Sequence, residues 1–95
     1  MGTRRPAYYA ELDAKLRGLL PAVRAAFDLE TCRWYEEFVR AGEYGLAVET
    51  VLDKAVAVDP APPPILMRQL LEAADTMDLS GNTIARVREK LGSVG

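Results

Sequence analysis

Apolar residues recur along this chain at helical rather than strand spacing. Tyr9, Leu12, Leu16, Leu19, Leu20 and Val23 fall largely at three- and four-residue steps, with Glu11, Asp13, Lys15 and Arg17 between them. That is the period of a helix with one apolar stripe. Pro6 suits its first turn, where a missing N–H costs nothing. Pro21 is expected to end or kink the helix, because it withholds an internal hydrogen bond and disfavours helical geometry at Leu20. A short turn from Pro21 to Phe27 should follow. Asp28 is placed to cap a second helix. Within it Trp34 and Phe38 stand four apart, as do Tyr35 and Val39. Two adjacent rows predict one broad apolar face, leaving Arg33, Glu36, Glu37 and Arg40 for the remainder. Gly42 should lie just past the end, in the left-handed conformation that closes many helices.

A third helix is predicted from about Gly45 to Val58, with Val48, Val51, Leu52 and Ala55 inward and Glu49 and Asp53 stacked on another face. Pro60, Pro62, Pro63 and Pro64 then dictate an extended connector over 59–64. The next helix takes Leu66, Leu70, Ala73, Ala74 and Met77 as its buried row, with Arg68, Glu72 and Asp75 outside. Asp78-Leu79-Ser80-Gly81-Asn82 reads as a turn in which Ser80 or Asn82 caps a last helix. Ile84, Val87 and Leu91 give that helix a narrow stripe. No stretch alternates as a half-buried strand does, and no internal repeat is present. The expectation is an all-α fold: a small bundle of four to five helices, one domain over residues 1–95 with the proline-rich connector inside it.

The 95 residues are 49% hydrophobic and 27% charged, the balance of a folded globular chain. There is no histidine, so no imidazole can serve as general base, zinc ligand or neutral-pH switch. The single cysteine, Cys32, can form neither an internal disulfide nor a CxxC pair. The pairs Glu36–Glu37 and Glu49–Asp53 are poor candidates for a hard cation. Adjacent helical residues diverge, and no loop supplies the remaining oxygens that calcium takes. No catalytic set, metal or cofactor is therefore expected, and a binding protein ranks above an enzyme. No apolar run follows Arg4 and Arg5, and nothing approaches the roughly 20 apolar residues that cross a bilayer. A lone cysteine suits a reducing compartment. The expectation is a cytoplasmic protein without a membrane partner.

The net charge of −2 conceals an uneven layout. Residues 1–27 carry five basic side chains against two acidic, 28–78 eleven acidic against four basic, and 79–95 three basic against one acidic. An acidic middle repels phosphate backbones and draws in a cationic surface. It also argues against reading the Gly42 junction as a helix-turn-helix. The third helix would present Glu49 and Asp53 to the groove, with Lys54 its one cation. No nucleic-acid partner is expected.

The most distinctive stretch is Gly42-Glu43-Tyr44-Gly45-Leu46-Ala47-Val48-Glu49. Two glycines three apart allow a tight reversal between helices. Glu43 complements the positive end of the helix that follows. On physics alone this is a corner stabilised by an acid. The run AGEYGLAVETVLDKAV, preceded by Trp34, Glu37 and Phe38 and followed by PPPILMRQLLEAADTMDL, resembles the pattern of MafI family immunity proteins over about residues 28–80. Val48, where that family more often has leucine, and the density of prolines depart from it. The resemblance implies a small helical protein that binds and neutralises a cognate polymorphic toxin, in many cases a nuclease with a cationic surface, without catalysis. On that reading Glu36, Glu37, Glu43, Glu49 and Asp53 form an acidic surface for the toxin, and Tyr44 is the aromatic anchor. The rival expectation is a helical interaction scaffold or homodimeric adaptor, since Trp34, Tyr35 and Phe38 supply more aromatic area than a corner requires. Monomer and oligomer both stay open.

Overall fold

The computed structural model describes residues 6–58, 61–79 and 84–89. Five helices follow one another: α1 (Pro6–Gly18), α2 (Leu20–Ala26), α3 (Leu29–Arg40), α4 (Tyr44–Ala55) and α5 (Pro64–Thr76). Residues 84–89 are helical as well, and no strand occurs among the described residues. The chain is an all-α bundle, as its periodicity predicts.

The first correction concerns Pro21. The segment expected to be a turn from Pro21 to Phe27 is helix α2, and the break falls earlier, after Gly18. Proline lies in the first turn of α2, where no N–H is required. The same missing N–H prevents α1 from running straight through. At the junction the N–H of Leu19 is shared between the carbonyls of Lys15 and Leu16, each at 3.2 Å. Leu12, Leu16, Leu19 and Val23 are buried as predicted, whereas Tyr9 is half exposed.

Asp28 caps α3 by accepting the N–H of Thr31 at 3.0 Å. The Thr31 side chain, and next this N–H, hold the Asp28 carboxyl below the usual aspartate range. The broad aromatic face expected of α3 is split. Tyr35 and Val39 are buried together with Thr31 and Cys32, while Trp34 is half exposed and Phe38 half-buried. Successive helical residues are turned by about 100°. Once Thr31 and Cys32 share the inner face with Tyr35, the Trp34 row is pushed to its edge.

Gly42, with φ of 79°, reverses the chain into α4. With only Ala41 to Glu43 between them, α3 and α4 pack against each other as a helical hairpin. Val48, Val51, Leu52 and Ala55 are buried, as is Ala47. The helix stops at Ala55 rather than near Val58, its last turn tightened by the Ala57 N–H on the Lys54 carbonyl at 2.9 Å. The proline connector is shorter than expected at its far end. Pro63 flanks α5 and Pro64 opens it, where a fixed φ is already helical. Met67 and Leu71 join the predicted row Leu66, Leu70, Ala73 and Ala74 in the core, with Met77 half-buried at the end. Ile84 and Val87 are also buried. The expected caps Ser80 and Asn82, and Leu91, lie outside the described residues.

Candidate functional site

Helices α3 and α5 end in the same way. At α3 the N–H of Glu43 reaches back to the Phe38 carbonyl at 2.8 Å and that of Gly42 to Val39 at 3.0 Å. At α5 the N–H of Leu79 reaches Ala74 at 2.9 Å and that of Asp78 reaches Asp75 at 3.0 Å. Each closure needs a left-handed residue. Gly42 supplies it at φ 79°, and Asp78 supplies it at φ 59°. The second is a conformation that L side chains adopt at a cost.

These two helix ends, with the beginnings of α1 and α4, surround an open hollow of about 660 Å³. Tyr9, Leu12, Tyr44, Leu46, Met77 and Leu79 supply most of its apolar wall. Glu43 and Asp78 are its two ionisable carboxylates, both exposed, and no basic residue is among its described lining.

Tyr44 is held within the fold. Its hydroxyl donates to Oδ1 of Asp13 at 2.9 Å, and its ring lies 6.4 Å from that of Tyr9 at a 35° tilt. Arg17 Nε donates to the other oxygen of Asp13 at 2.7 Å. The Arg17 guanidinium and then the Tyr44 hydroxyl hold the Asp13 carboxyl below its ordinary value. Burial, and next the Asp13 bond, push the Tyr44 phenol up. Tyr44 thus forms a fixed, half-buried wall, and Tyr9, 51% exposed, is the aromatic that reaches solvent beside it.

The remaining residues singled out from the sequence divide between faces. Leu46, Glu49 and Asp53 follow at three- and four-residue steps along the exposed side of α4. Glu49 and Asp53 therefore continue from the rim of the hollow. Glu37 is exposed on α3 and lines a second, smaller hollow of about 240 Å³ with Glu30, Arg33 and Trp34. Trp34 stacks on Phe38 there, centroids 5.6 Å apart. Glu36 is half-buried on another side of α3, with Arg24 at 3.5 Å and Arg40 at 3.7 Å. The fold therefore gathers Glu43, Tyr44, Glu49 and Asp53 along α4 and leaves Glu36 and Glu37 on separate faces of α3.

Internal ion pairs sharpen that division. Lys15 pairs with Glu72 at 2.9 Å, Arg17 with Asp13, and Arg88 with Asp75. Among the described residues Glu37, Glu43, Glu49 and Asp78 enter no ion pair. The basic ends of the chain compensate acids on α1 and α5, while Glu43 and Asp78 at the corner and Glu49 on α4 keep theirs.

Tyr9, Leu46 and Asp78 belong to this site and were not singled out by the sequence reading. The signal for Leu46 was its position off the Val48, Val51, Leu52 and Ala55 row. Asp78 was marked only by its place in a turn, and nothing local distinguished Tyr9 from a core residue.

Among the described residues no group of three or more histidine, cysteine, aspartate or glutamate side chains is placed to hold a metal ion. The Cys32 thiol is buried, 3.5 Å from the Val23 carbonyl and 3.7 Å from that of Phe27, and burial raises its pKa. No helix among the described residues is long and apolar enough to cross a membrane. No family model matches the chain, and neither a curated protein nor a solved structure is detectably similar to it.

Proposed function

We propose that this chain is an immunity protein of the MafI kind that its corner sequence resembles, binding and neutralising a cognate toxin in the cytoplasm without turnover. The observation that carries the reading is the apolar hollow at the corner whose only charged lining, among the described residues, is the carboxylates Glu43 and Asp78. Glu49 and Asp53 extend that negative potential along α4. Charge laid out in this way steers a cationic protein into place and selects it over others. Apolar and aromatic groups in a recess then slow its departure. A nuclease toxin has the matching surface, since it must itself attract phosphate. The same carboxylates repel nucleic acid from this chain.

The test is a titration of the toxin encoded beside this gene, assayed for its own activity. Stoichiometric loss of activity is expected as the protein is added. Full toxin activity at a saturating amount of protein overturns the assignment.

One observation favours a second reading, a helical scaffold or homodimeric adaptor. Trp34 is 50% exposed and stacked on Phe38, an aromatic pair at the edge of the core. Sedimentation equilibrium separates the two. A dimer mass that reverts to monomer in Trp34→Ser supports the adaptor, and a monomer mass for the wild type removes the homodimer.

A further inference from the structure

The corner hollow limits what can occupy it. An apolar side chain alone would cover Tyr9, Leu46 and Leu79 while taking water from Glu43 and Asp78 without replacing it. An anionic group meets two carboxylates, and because helix ends of both signs border the hollow, those carboxylates set its potential. A side chain with an apolar stem and a cationic head satisfies both halves of the lining. Arginine does so better than lysine. Its planar guanidinium stacks on an aromatic face, presents forked donors to carboxylates, and is less strongly hydrated than an ammonium. Tyr9 offers such a face, exposed over about half its surface and placed next to the fixed ring of Tyr44.

We propose that the hollow between the ends of α3 and α5 is the seat of an arginine side chain from the protein partner. Its stem lies along Tyr9 and Leu46, and its guanidinium is shared by Glu43 and Asp78. The proposal rests on the partner being a basic protein, the reading argued above. It adds one recess to that diffuse charge as a second determinant of which partner is taken. It also gives Asp78 a role at a position where glycine would sit without strain.

The experiment uses N-acetyl-arginine amide as probe, titrated at low salt into the isotope-labelled protein while amide shifts are followed. N-acetyl-lysine amide and N-acetyl-norleucine amide serve as comparisons. Saturable shifts confined to the neighbourhood of Glu43, Gly45, Leu46 and Leu79 are expected, with millimolar affinity for so small a ligand. The double variant Glu43→Gln, Asp78→Gly should weaken arginine binding by about fivefold, the scale of exposed ion pairs. Its amide spectrum away from the hollow reports that it is folded. Equal shifts from norleucine, tighter binding of lysine, or shifts centred on another face overturn the proposal. If the arginine probe fails while the toxin is still neutralised, the recess is wrong and the immunity reading stands. If the probe binds and the toxin is untouched, the recess stands and that reading falls.

Discussion

The hydroxyl of Tyr35, midway along α3, donates to the main-chain carbonyl of Leu16 at 2.6 Å, where α1 gives way to α2. In an uninterrupted helix that carbonyl would accept from Leu20. Here it receives only a shared N–H from Leu19 at 3.2 Å, because Gly18 and Pro21 break the path. Tyr35 is fully buried, and burial holds its phenol well above the ordinary tyrosine value, so it stays a neutral donor. The third helix thus supplies the hydrogen bond that the proline break removes from the first.

Tyr35→Phe keeps the ring and removes that donor. The variant should lose about 1–2 kcal/mol of stability, the usual effect of leaving a buried carbonyl short of a partner. Urea unfolding measures it, and an unchanged midpoint contradicts this account of the α1–α2 junction.

Gly42 and Asp78 hold the same backbone conformation and should respond oppositely to substitution. A Cβ at Gly42 meets nothing within 4 Å. Gly42→Ala therefore costs only the left-handed penalty, about 1 kcal/mol. Asp78→Gly relieves a similar strain, offset in part by the greater freedom of glycine when unfolded, for a gain of about 0.5 kcal/mol. Thermal unfolding of the two variants compares them directly. A destabilised Asp78→Gly would show that its carboxylate is tied into the fold instead of available to a ligand.

Stability should fall on acidification through two depressed carboxyls. Asp28 is lowered by the bond from Thr31, and Asp13 by the bond from Arg17 and then that from Tyr44. Each sits below its ordinary value of 3.8 in the fold. Their contribution is complete above that value and is lost as pH drops through the lower folded values. Asn is also a good helix cap but does not titrate. Asp28→Asn should unfold like the wild type near pH 7 and show a shallower loss below pH 4. A wild-type acid profile in that variant would remove Asp28 from the explanation.

Much of the scaffold was legible in the residue order because single positions carry strong physical signals. Asp28 before an apolar run, Gly42 after one, and the inward row of α4 each act locally, and each is where the pattern places it. Pro21 misled because proline can close one helix or open the next. The break falls at Leu19, two residues earlier, which leaves Pro21 in the first turn of the next helix. The site was less legible for a different reason. Glu36 and Glu37 are neighbours in sequence, yet helical rotation turns one toward Arg24 and Arg40 and the other toward Trp34. Tyr9 and Asp78 line the same hollow from distant parts of the chain. No local pattern registers a juxtaposition made by tertiary packing.

The most direct test of the central claim is the association rate between this protein and the proposed toxin partner, measured at low and high salt for the wild type and for Glu49→Lys, Asp53→Lys. Exposed charges act over about 10 Å at 0.1 M salt and less above it. The wild type should associate rapidly at low salt and slow as salt rises. The double reversal should be about tenfold slower at low salt, depend less on salt, and approach the wild-type rate at high salt. Identical rates for the two proteins at every salt concentration would contradict the claim that the acidic side of α4 guides a positive partner onto the corner.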